Sequence, residues 1–144
     1  MLECKVYYDS AEPGATESLA RLGLSPDDLP AALLTERGGK LRVLGIRLTQ
    51  DEVPRLCAGS GFGRGELTVY STSWCPDCRR AKRLLEDAAV AFGEVDIDED
   101  EEAEAMVLAR SGGRRVVPTF RLGDRVWAFN PDPPLLRRLL EESA

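Results

Sequence analysis

A chain of 144 residues with a formal net charge of −6 is long enough for one ordinary domain or two small ones. The excess of acidic residues argues against a basic surface that would bind nucleic acid or an anionic membrane. No apolar run approaches the roughly 20 residues that span a bilayer. The chain contains no histidine, which excludes Ser-His and Cys-His catalytic pairs and every metal site with a histidine ligand.

The first residues and the cysteine content indicate a compartment. Met1–Lys5 lacks the basic and apolar stretches that begin a signal peptide. The chain has 4 cysteines, too few for the disulfide scaffold of a secreted protein of this length. We therefore expect a cytoplasmic protein, with neither nucleic acid nor membrane among its partners.

Residues 1–58 are predicted to form a small α+β unit of unknown role. Its predicted elements are a strand at Cys4–Tyr8, a helix at Thr16–Leu22, a helix from Ser25 to Leu33 or Leu34, a strand at Lys40–Leu48 and a short helix from Thr49. The second helix is predicted from a serine cap followed by proline and two acids, although Pro30 lies inside it. A unit this small is near the lower size limit for independent folding, so we expect it to pack against the rest of the chain.

A glycine-rich stretch at residues 59–65 follows this unit. Glycine stands at every second position, which predicts a flexible linker between two domains. A glycine-rich anion cradle is the alternative. The stretch lacks both the Lys-Ser/Thr end of a phosphate-binding loop and the spacing of a dinucleotide fingerprint.

Residues 66–144 alternate strands and helices and predict an α/β domain. The predicted elements are Leu67–Tyr70, Pro76–Val90, Glu94–Ile97, Asp100–Arg110, Thr119–Leu122, Arg125–Phe129 and a last helix from about Asp132. The early strand-helix-strand unit predicts a parallel strand pair. The late hairpin predicts an antiparallel pair.

Cys75 and Cys78 stand three positions apart where the first of these helices begins. Pro76 suits the first helical turn, because its missing N–H would have no partner there. Cys75 is therefore expected at the helix N-terminus, where backbone N–H groups and the dipole lower a thiol pKa from about 8.5 into the range of about 3.5 to 7.5. Cys78, one turn later and facing inward, can close a disulfide with it. The pair predicts an exposed nucleophile with a resolving thiol behind it.

Three separated segments resemble the glutaredoxin family, and its mycoredoxin branch in particular. They are residues 70–78 (YSTSWCPDC), residues 94–97 (EVDI) and residues 112–119 (GGRRVVPT), and Asn130-Pro131 near the end also matches. The resemblance covers residues 66–144 and says nothing about residues 1–64.

This resemblance implies a thioredoxin fold, with element order βαβαββα and a four-stranded mixed sheet. It implies a cis Pro118 packed against the active-site cysteines, with Cys75 as the nucleophile and Cys78 as the resolving cysteine. It also implies that the backbone at Val117 pairs with the bound thiol like an added strand. Binding of the thiol substrate is expected from Val117, Pro118, Arg115 and Asn130.

The sequence departs from glutaredoxins that use glutathione in two places. Those proteins carry a basic residue shortly before the first cysteine, whereas residues 70–74 contain none. They also carry Gly-Gly and an acidic pair after the hairpin, where residues 130–133 read NPDP. We expect no bound cofactor and no metal, and a low-molecular-weight thiol as co-substrate: mycothiol, bacillithiol or glutathione, with the two departures favouring either of the first two. Oxidised or S-thiolated proteins and a small-thiol or flavoprotein reductase system are the expected partners.

Residues around the two cysteines are expected to shape the active site, namely Trp74, Pro76, Asp77, Arg79 and Pro118. Trp74 either belongs to the core or, as we expect, shields the thiolate and forms the entrance. Asp77 is expected to hold the pKa of the Cys75 thiol above that of a variant with a neutral residue. Arg79 or Arg80 either stabilises the thiolate or belongs to a solvated helix face.

Cys4 and Cys57 are expected to be buried free thiols. The alternatives are a regulatory disulfide, either between them or with the active site, and a zinc site formed by all four cysteines.

The main functional hypothesis is a thiol–disulfide oxidoreductase that reduces protein disulfides or mixed disulfides of proteins with a small thiol. The alternative is a redox sensor or adaptor, in which the oxidation state of Cys75 and Cys78 controls how residues 1–58 dock on a partner.

Overall fold

The computed structural model describes residues 2–62 and 66–141. Its elements, in chain order, are β1 (Leu2–Tyr7), α1 (Ala15–Arg21), a 3₁₀ turn (Pro26–Asp28), β2 (Ala31–Glu36), β3 (Leu41–Gly45), α2 (Glu52–Cys57), β4 (Leu67–Ser71), α3 (Pro76–Asp87), β5 (Gly93–Asp96), α4 (Glu101–Arg110), β6 (Thr119–Leu122), β7 (Val126–Phe129) and α5 (Pro133–Leu139). The strands of these residues form one sheet in the order β1-β2-β3-β7-β6-β4-β5.

The second half of the chain has the predicted βαβαββα order. Strand β4 runs parallel to β5 across the crossover helix α3, with Val69 opposite Glu94. Strand β6 is antiparallel to both β4 and β7. The predicted α/β class and thioredoxin fold are confirmed by this arrangement.

The first half of the chain extends the same sheet. Strands β1, β2 and β3 are joined antiparallel, and β3 is antiparallel to β7, with Leu44 opposite Trp127. In a four-stranded sheet β7 would be an edge strand with unpaired backbone groups, and here β3 covers that edge. The division into two domains stays a prediction; the structure shows both regions contributing strands to one sheet.

The helix predicted from Ser25 to Leu34 is wrong. Only the short turn Pro26–Asp28 is helical, and Ala31–Glu36 is strand β2. Leu29 before Pro30 has extended backbone angles, as a residue preceding proline prefers. Residues 31–34 are all buried because the sheet is covered on both faces, so they lack the period that would distinguish a strand from a helix.

Both faces of the sheet carry a hydrophobic core to which both halves contribute. Helices α2, α3 and α5 cover one face, where Leu34 and Val43 pack in one cluster with Phe120. On the other face, α1 and α4 lie over Leu44 and Trp127. The first half is therefore buried against the second rather than tethered to it.

Cys4 of β1 and Cys57 at the end of α2 form a disulfide with a Cα–Cα distance of 5.3 Å. The prediction of two buried free thiols is therefore wrong. Cys4 lies on the face of β1 that α2 covers, together with the partly buried Leu2 and Val6. The pairing also leaves no cysteine to join Cys75 and Cys78 in a zinc site.

The predicted linker begins along α5. The N–H groups of Gly61 and Phe62 donate to the carbonyl oxygens of Arg138 and Leu139, at 3.0 and 3.1 Å. The rest of the predicted linker, residues 63–65, lies outside the described residues. Within the described ranges, every helix is too short or too polar to span a membrane.

Candidate active site

The first cysteine of the C-x-x-C motif begins helix α3. Cys75 is the N-cap residue, with extended φ and ψ of −85° and 112°, and Pro76 is the first helical residue. The Sγ atom of Cys75 accepts the backbone N–H of Cys78 at 3.0 Å. A negative charge on this sulfur would therefore be stabilised by a direct hydrogen bond and by the positive end of the helix dipole.

Cys75 faces the loop before β6. Its thiol donates to the carbonyl oxygen of Val117 at 3.8 Å, and the Val117–Pro118 peptide bond is cis. The prediction of an exposed nucleophile is wrong, because Cys75 is only 4% exposed. The helix start and the Val117–Pro118 loop enclose its side chain, which limits access to the sulfur.

Cys78 is fully buried one helical turn further on. Burial is the main cause, and the hydrogen bond with Cys75 the second, of a pKa of the Cys78 thiol raised to about 12. Cys78 therefore remains protonated at neutral pH and is a poor attacking group for an incoming substrate. The two sulfurs are suited to different steps of thiol–disulfide exchange.

Val117 presents a backbone donor beside the thiol. No hydrogen bond among the described residues includes its N–H, while its carbonyl accepts from Cys75. Loss of the thiol proton would also release that carbonyl. An extended segment beside Val117 could then pair with both backbone groups, as the resemblance implies.

Trp74 lies at the surface rather than in the core, with 60% exposure. Its indole N–H donates to Asp98 at 3.1 Å. Asp98 also pairs with Arg115, which forms a second ion pair with Glu104 at 2.8 Å. The hydrogen bond with Glu104 contributes most, and that with Asp98 next, to raising the pKa of the Arg115 guanidinium. Arg115, which is expected to bind the thiol substrate, is thus already paired with two carboxylates. One of them, Asp98, also accepts the hydrogen bond from Trp74.

Asp77 and Asn130 form the opposite side of the site. The side chain of Asn130 donates to Asp77 at 3.3 Å, and its N–H donates to the carbonyl of Pro118 at 2.8 Å. Asn130 has a positive φ of 43°, a conformation that asparagine tolerates better than most residues. Asp77 also pairs with Arg80. The guanidinium of Arg79 is exposed and forms no hydrogen bond or ion pair within the described part of the chain.

Sequence reasoning missed Arg42 of β3, which connects the first half of the chain to this site. Its Nη1 donates to the carbonyls of Phe129 and Asn130 at 3.1 and 3.0 Å. Its Nε pairs with Glu36 at 2.7 Å. The chain offers no local signal for these contacts, because they depend on the pairing of β3 with β7.

Similar sequences are known for the second half of the chain. The family model described as glutaredoxin matches residues 67–127. Mycoredoxin 1 of Corynebacterium glutamicum is 40% identical over 65 residues, which cover 45% of this chain and 80% of that protein. A protein of Mycobacterium tuberculosis described as a glutaredoxin is 42% identical over 65 residues, covering 45% of this chain and 77% of its own length.

Among solved structures, the glutaredoxin-like NrdH-redoxin of Escherichia coli aligns with a TM-score of 0.45 and 25% identity, covering 55% of this chain and 99% of that one. A glutaredoxin of Archaeoglobus fulgidus aligns with a TM-score of 0.43 and 27% identity, covering 53% of this chain and 87% of that one. The two relatives decide the family, since more than two thirds of each is covered at about 40% identity. The chain belongs to the glutaredoxin family of thiol–disulfide oxidoreductases.

Proposed function

We propose that this protein reduces mixed disulfides between proteins and a low-molecular-weight thiol, with Cys75 as the nucleophile and either a second small thiol or Cys78 as the resolving thiol. The observation that carries the proposal is the position of the Cys75 sulfur, which accepts the Cys78 N–H at the helix start and faces the Val117 carbonyl. The Cys78 N–H and the helix start would stabilise a negative charge on this sulfur, and the thiolate is the form that attacks disulfides.

In the first step the Cys75 thiolate attacks the sulfur of the small thiol in the mixed disulfide. A bond forms between Cys75 and the small thiol while the original disulfide bond breaks. The substrate protein leaves as a thiolate and takes up a proton from solvent. No net oxidation occurs, because one disulfide replaces another.

Two routes can complete the cycle. A second molecule of the small thiol attacks the one held on Cys75, which releases a small-molecule disulfide and restores the Cys75 thiolate. Alternatively Cys78 loses its proton and attacks the Cys75 sulfur, releasing the small thiol and forming the Cys75–Cys78 disulfide. Because the pKa of Cys78 is raised to about 12, we expect the first route to dominate at neutral pH.

The small thiol would lie along Val117 and Pro118, between Trp74 on one side and Asn130 on the other. The N–H of Val117, which has no partner within residues 2–62 and 66–141, supports this placement. The relative named mycoredoxin and the absence of a basic residue in residues 70–74 favour a thiol of the mycothiol type. A small-thiol or flavoprotein reductase system would supply the electrons.

A redox sensor is a second candidate, and one contact favours it. Arg42 joins β3 to the loop at Asn130, so a change at the cysteines could reach the first half of the chain. Such a sensor would reduce a disulfide once per molecule and not repeatedly.

The test uses a model protein carrying glutathione, mycothiol or bacillithiol on one cysteine, with an excess of the same thiol as reductant. Wild type and Cys78→Ser are expected to release the small thiol over many turnovers, and Cys75→Ser to release none. Activity of Cys75→Ser equal to wild type would rule out the mechanism. Release that stops at one equivalent would favour the sensor.

A further inference from the structure

A cavity of about 520 Å³ lies between the first half of the chain and helices α3 and α5. Leu2 of β1 and the turn after β2 form one wall, and the opposite wall comes from the two helices. Pockets that bind small molecules fall in a range of about 300 to 1,000 Å³, enough space for one or two side chains of a bound segment. The size is therefore that of a binding site rather than a packing defect.

The floor of this cavity is apolar. Ala81 and Leu84 of α3 face Leu135 and Leu136 of α5, and Leu2 completes the surface. Leu2 and Leu84 are only partly buried, so apolar area remains for a ligand to cover.

The rim of the cavity is positively charged in an acidic protein. Its described lining contains Arg37, Arg42, Arg80 and Arg138 against Glu36, Asp77 and Asp132, although the whole chain has a net charge of −6. Two of these arginines are already paired with two of the acids, Arg42 with Glu36 and Arg80 with Asp77.

The third acid, Asp132, accepts the backbone N–H of Leu135 at 2.9 Å. Arg37 and Arg138 have no carboxylate partner among the residues that the structure describes. The rim thus offers two exposed guanidinium groups to an incoming anion.

The cavity adjoins the active site. Asp77, two residues after Cys75, lines it, and so does Asn130, whose N–H binds the Pro118 carbonyl. Under the proposed function the small thiol lies along Val117 and Pro118. The protein part of the mixed disulfide must then extend from Cys75 along another surface.

We propose that this cavity binds the substrate polypeptide next to its disulfide and selects segments in which an acidic side chain accompanies apolar ones. The proposal rests on the proposed function, since the cavity acts on the same substrate. Apolar side chains would cover the floor, and the carboxylate would pair with Arg37 and Arg138. The overall charge of the protein repels acidic substrates, so a preference for them must come from this local pair.

The first experiment compares two peptides of equal length, each with one cysteine in a mixed disulfide with 2-mercaptoethanol. One carries acidic and leucine residues beside the cysteine, and the other carries the corresponding amides. Prereduced full-length protein is mixed with each, and the second-order rate constant is measured at low salt. Bis(2-hydroxyethyl) disulfide, too small to reach the cavity, is the reference substrate.

Wild type is expected to reduce the acidic peptide several times faster than the amide peptide. Arg37→Ala and Arg138→Ala should each lower this ratio about threefold, as expected for an exposed ion pair, without changing the rate on the reference. Arg137→Ala is the matched control. It removes the same charge from the neighbouring position of α5, which does not line the cavity. A ratio of one for wild type, or equal losses in Arg137→Ala and Arg138→Ala, would overturn the proposal.

A second measurement does not depend on redox chemistry. The acidic peptide without cysteine is titrated into labelled protein, and the amide signals of Ala81 and Leu84 are followed by NMR. They are expected to shift for wild type and not for the Arg37→Ala/Arg138→Ala double variant, and unchanged wild-type signals would contradict the cavity proposal. Failure of wild type to reduce the reference disulfide would count against the proposed function alone, and the titration would still decide the role of the cavity.

Discussion

The two cysteine pairs of this protein lie in opposite settings. Cys4 and Cys57 are 53 residues apart and join an outer strand to a helix through a disulfide. Cys75 and Cys78 are free thiols within one turn of one helix. The first pair connects two elements that are already packed together, and the second places one sulfur at a helix start with the other buried behind it.

This contrast shows what makes a cysteine pair reactive. Proximity of the two sulfurs is common to both pairs. The second pair differs in three ways: the Cys78 N–H donates to the Cys75 sulfur, the Val117 carbonyl accepts from the Cys75 thiol, and the pKa of the Cys78 thiol is raised to about 12. The pair in residues 2–62 thus joins two packed elements, whereas the pair in residues 66–141 has the geometry on which the proposed chemistry rests.

The largest expected effect sharpens the chemical side of this comparison. In Cys75→Ser, the reaction of Cys78 with iodoacetamide at pH 8 should be about 1,000 times slower than in the same chain unfolded in urea. The pKa of Cys78 is about 12 in wild type against about 8.5 for a free cysteine, and its main cause, burial, remains in this variant although the hydrogen bond with Cys75 is lost, so little thiolate is present. The rate of the folded variant should keep rising above pH 9.

The unfolded variant is the control, since its alkylation rate should level off above about pH 8.5. Mass spectrometry of the alkylated peptide assigns the reaction to Cys78. A plateau near pH 8.5 in the folded variant would remove the basis for distinguishing the two sulfurs.

The second effect breaks the structural pair. The double variant Cys4→Ser/Cys57→Ser should lose about 4 kcal/mol of unfolding free energy, because the bond closes a loop of 53 residues that is otherwise open in the unfolded chain. Urea denaturation measures the loss. The rate of reduction of bis(2-hydroxyethyl) disulfide should not change, and a large fall in that rate would show that the first pair takes part in the chemistry.

Local patterns in the sequence were enough for the elements that build the active site. Cys75-Pro76 predicts the start of α3, and the alternation of residues 119–129 predicts the β6–β7 hairpin, both confirmed here. These signals succeed because a helix cap and a hairpin turn are properties of a few consecutive residues.

Contacts between distant residues could not be predicted in the same way. The strand at β3 was predicted, but its pairing with β7 was not, because many edges could accept it. The Cys4–Cys57 disulfide and the hydrogen bond from Arg42 to the Asn130 carbonyl both depend on this packing of the two halves, which the sequence did not predict. The cavity beside α3 was missed for the same reason, since its walls come from both halves of the chain.

The third effect concerns an ion pair that joins the two halves. Glu52 of α2 is bound by Arg125 through two hydrogen bonds of 2.6 Å, which lower the pKa of Glu52 to about 2 from 4.5. Such a shift corresponds to about 3 kcal/mol, which we reduce to about 2 because the Arg125 side chain is 34% exposed. Glu52→Gln should lower the unfolding free energy by about 2 kcal/mol at pH 7.

The pH dependence of this loss has a definite sign. A lowered pKa stabilises the folded state above the unfolded pKa, and the stabilisation disappears as pH falls through the folded value. The difference between wild type and Glu52→Gln should thus be complete above about pH 5 and shrink towards pH 2. Glu86→Gln, at an exposed position of α3, is the control and should match wild type throughout. A constant difference between pH 7 and pH 2 would show that Glu52 acts through packing rather than charge.

The smallest expected effect tests whether the first half of the chain influences the active site at all. Arg42→Met keeps the length of the side chain but removes its bonds to the Phe129 and Asn130 carbonyls. Because the N–H of Asn130 holds the Pro118 carbonyl, we expect a loss of about 1 kcal/mol in transition-state stabilisation, a rate about fivefold lower on bis(2-hydroxyethyl) disulfide. Arg83→Met on the exposed face of α3 is the matched control. Equal rates for both variants would show that the first half of the chain contributes to stability and not to the rate. A loss only in Arg42→Met would show that β3 helps to position the loop that faces Cys75.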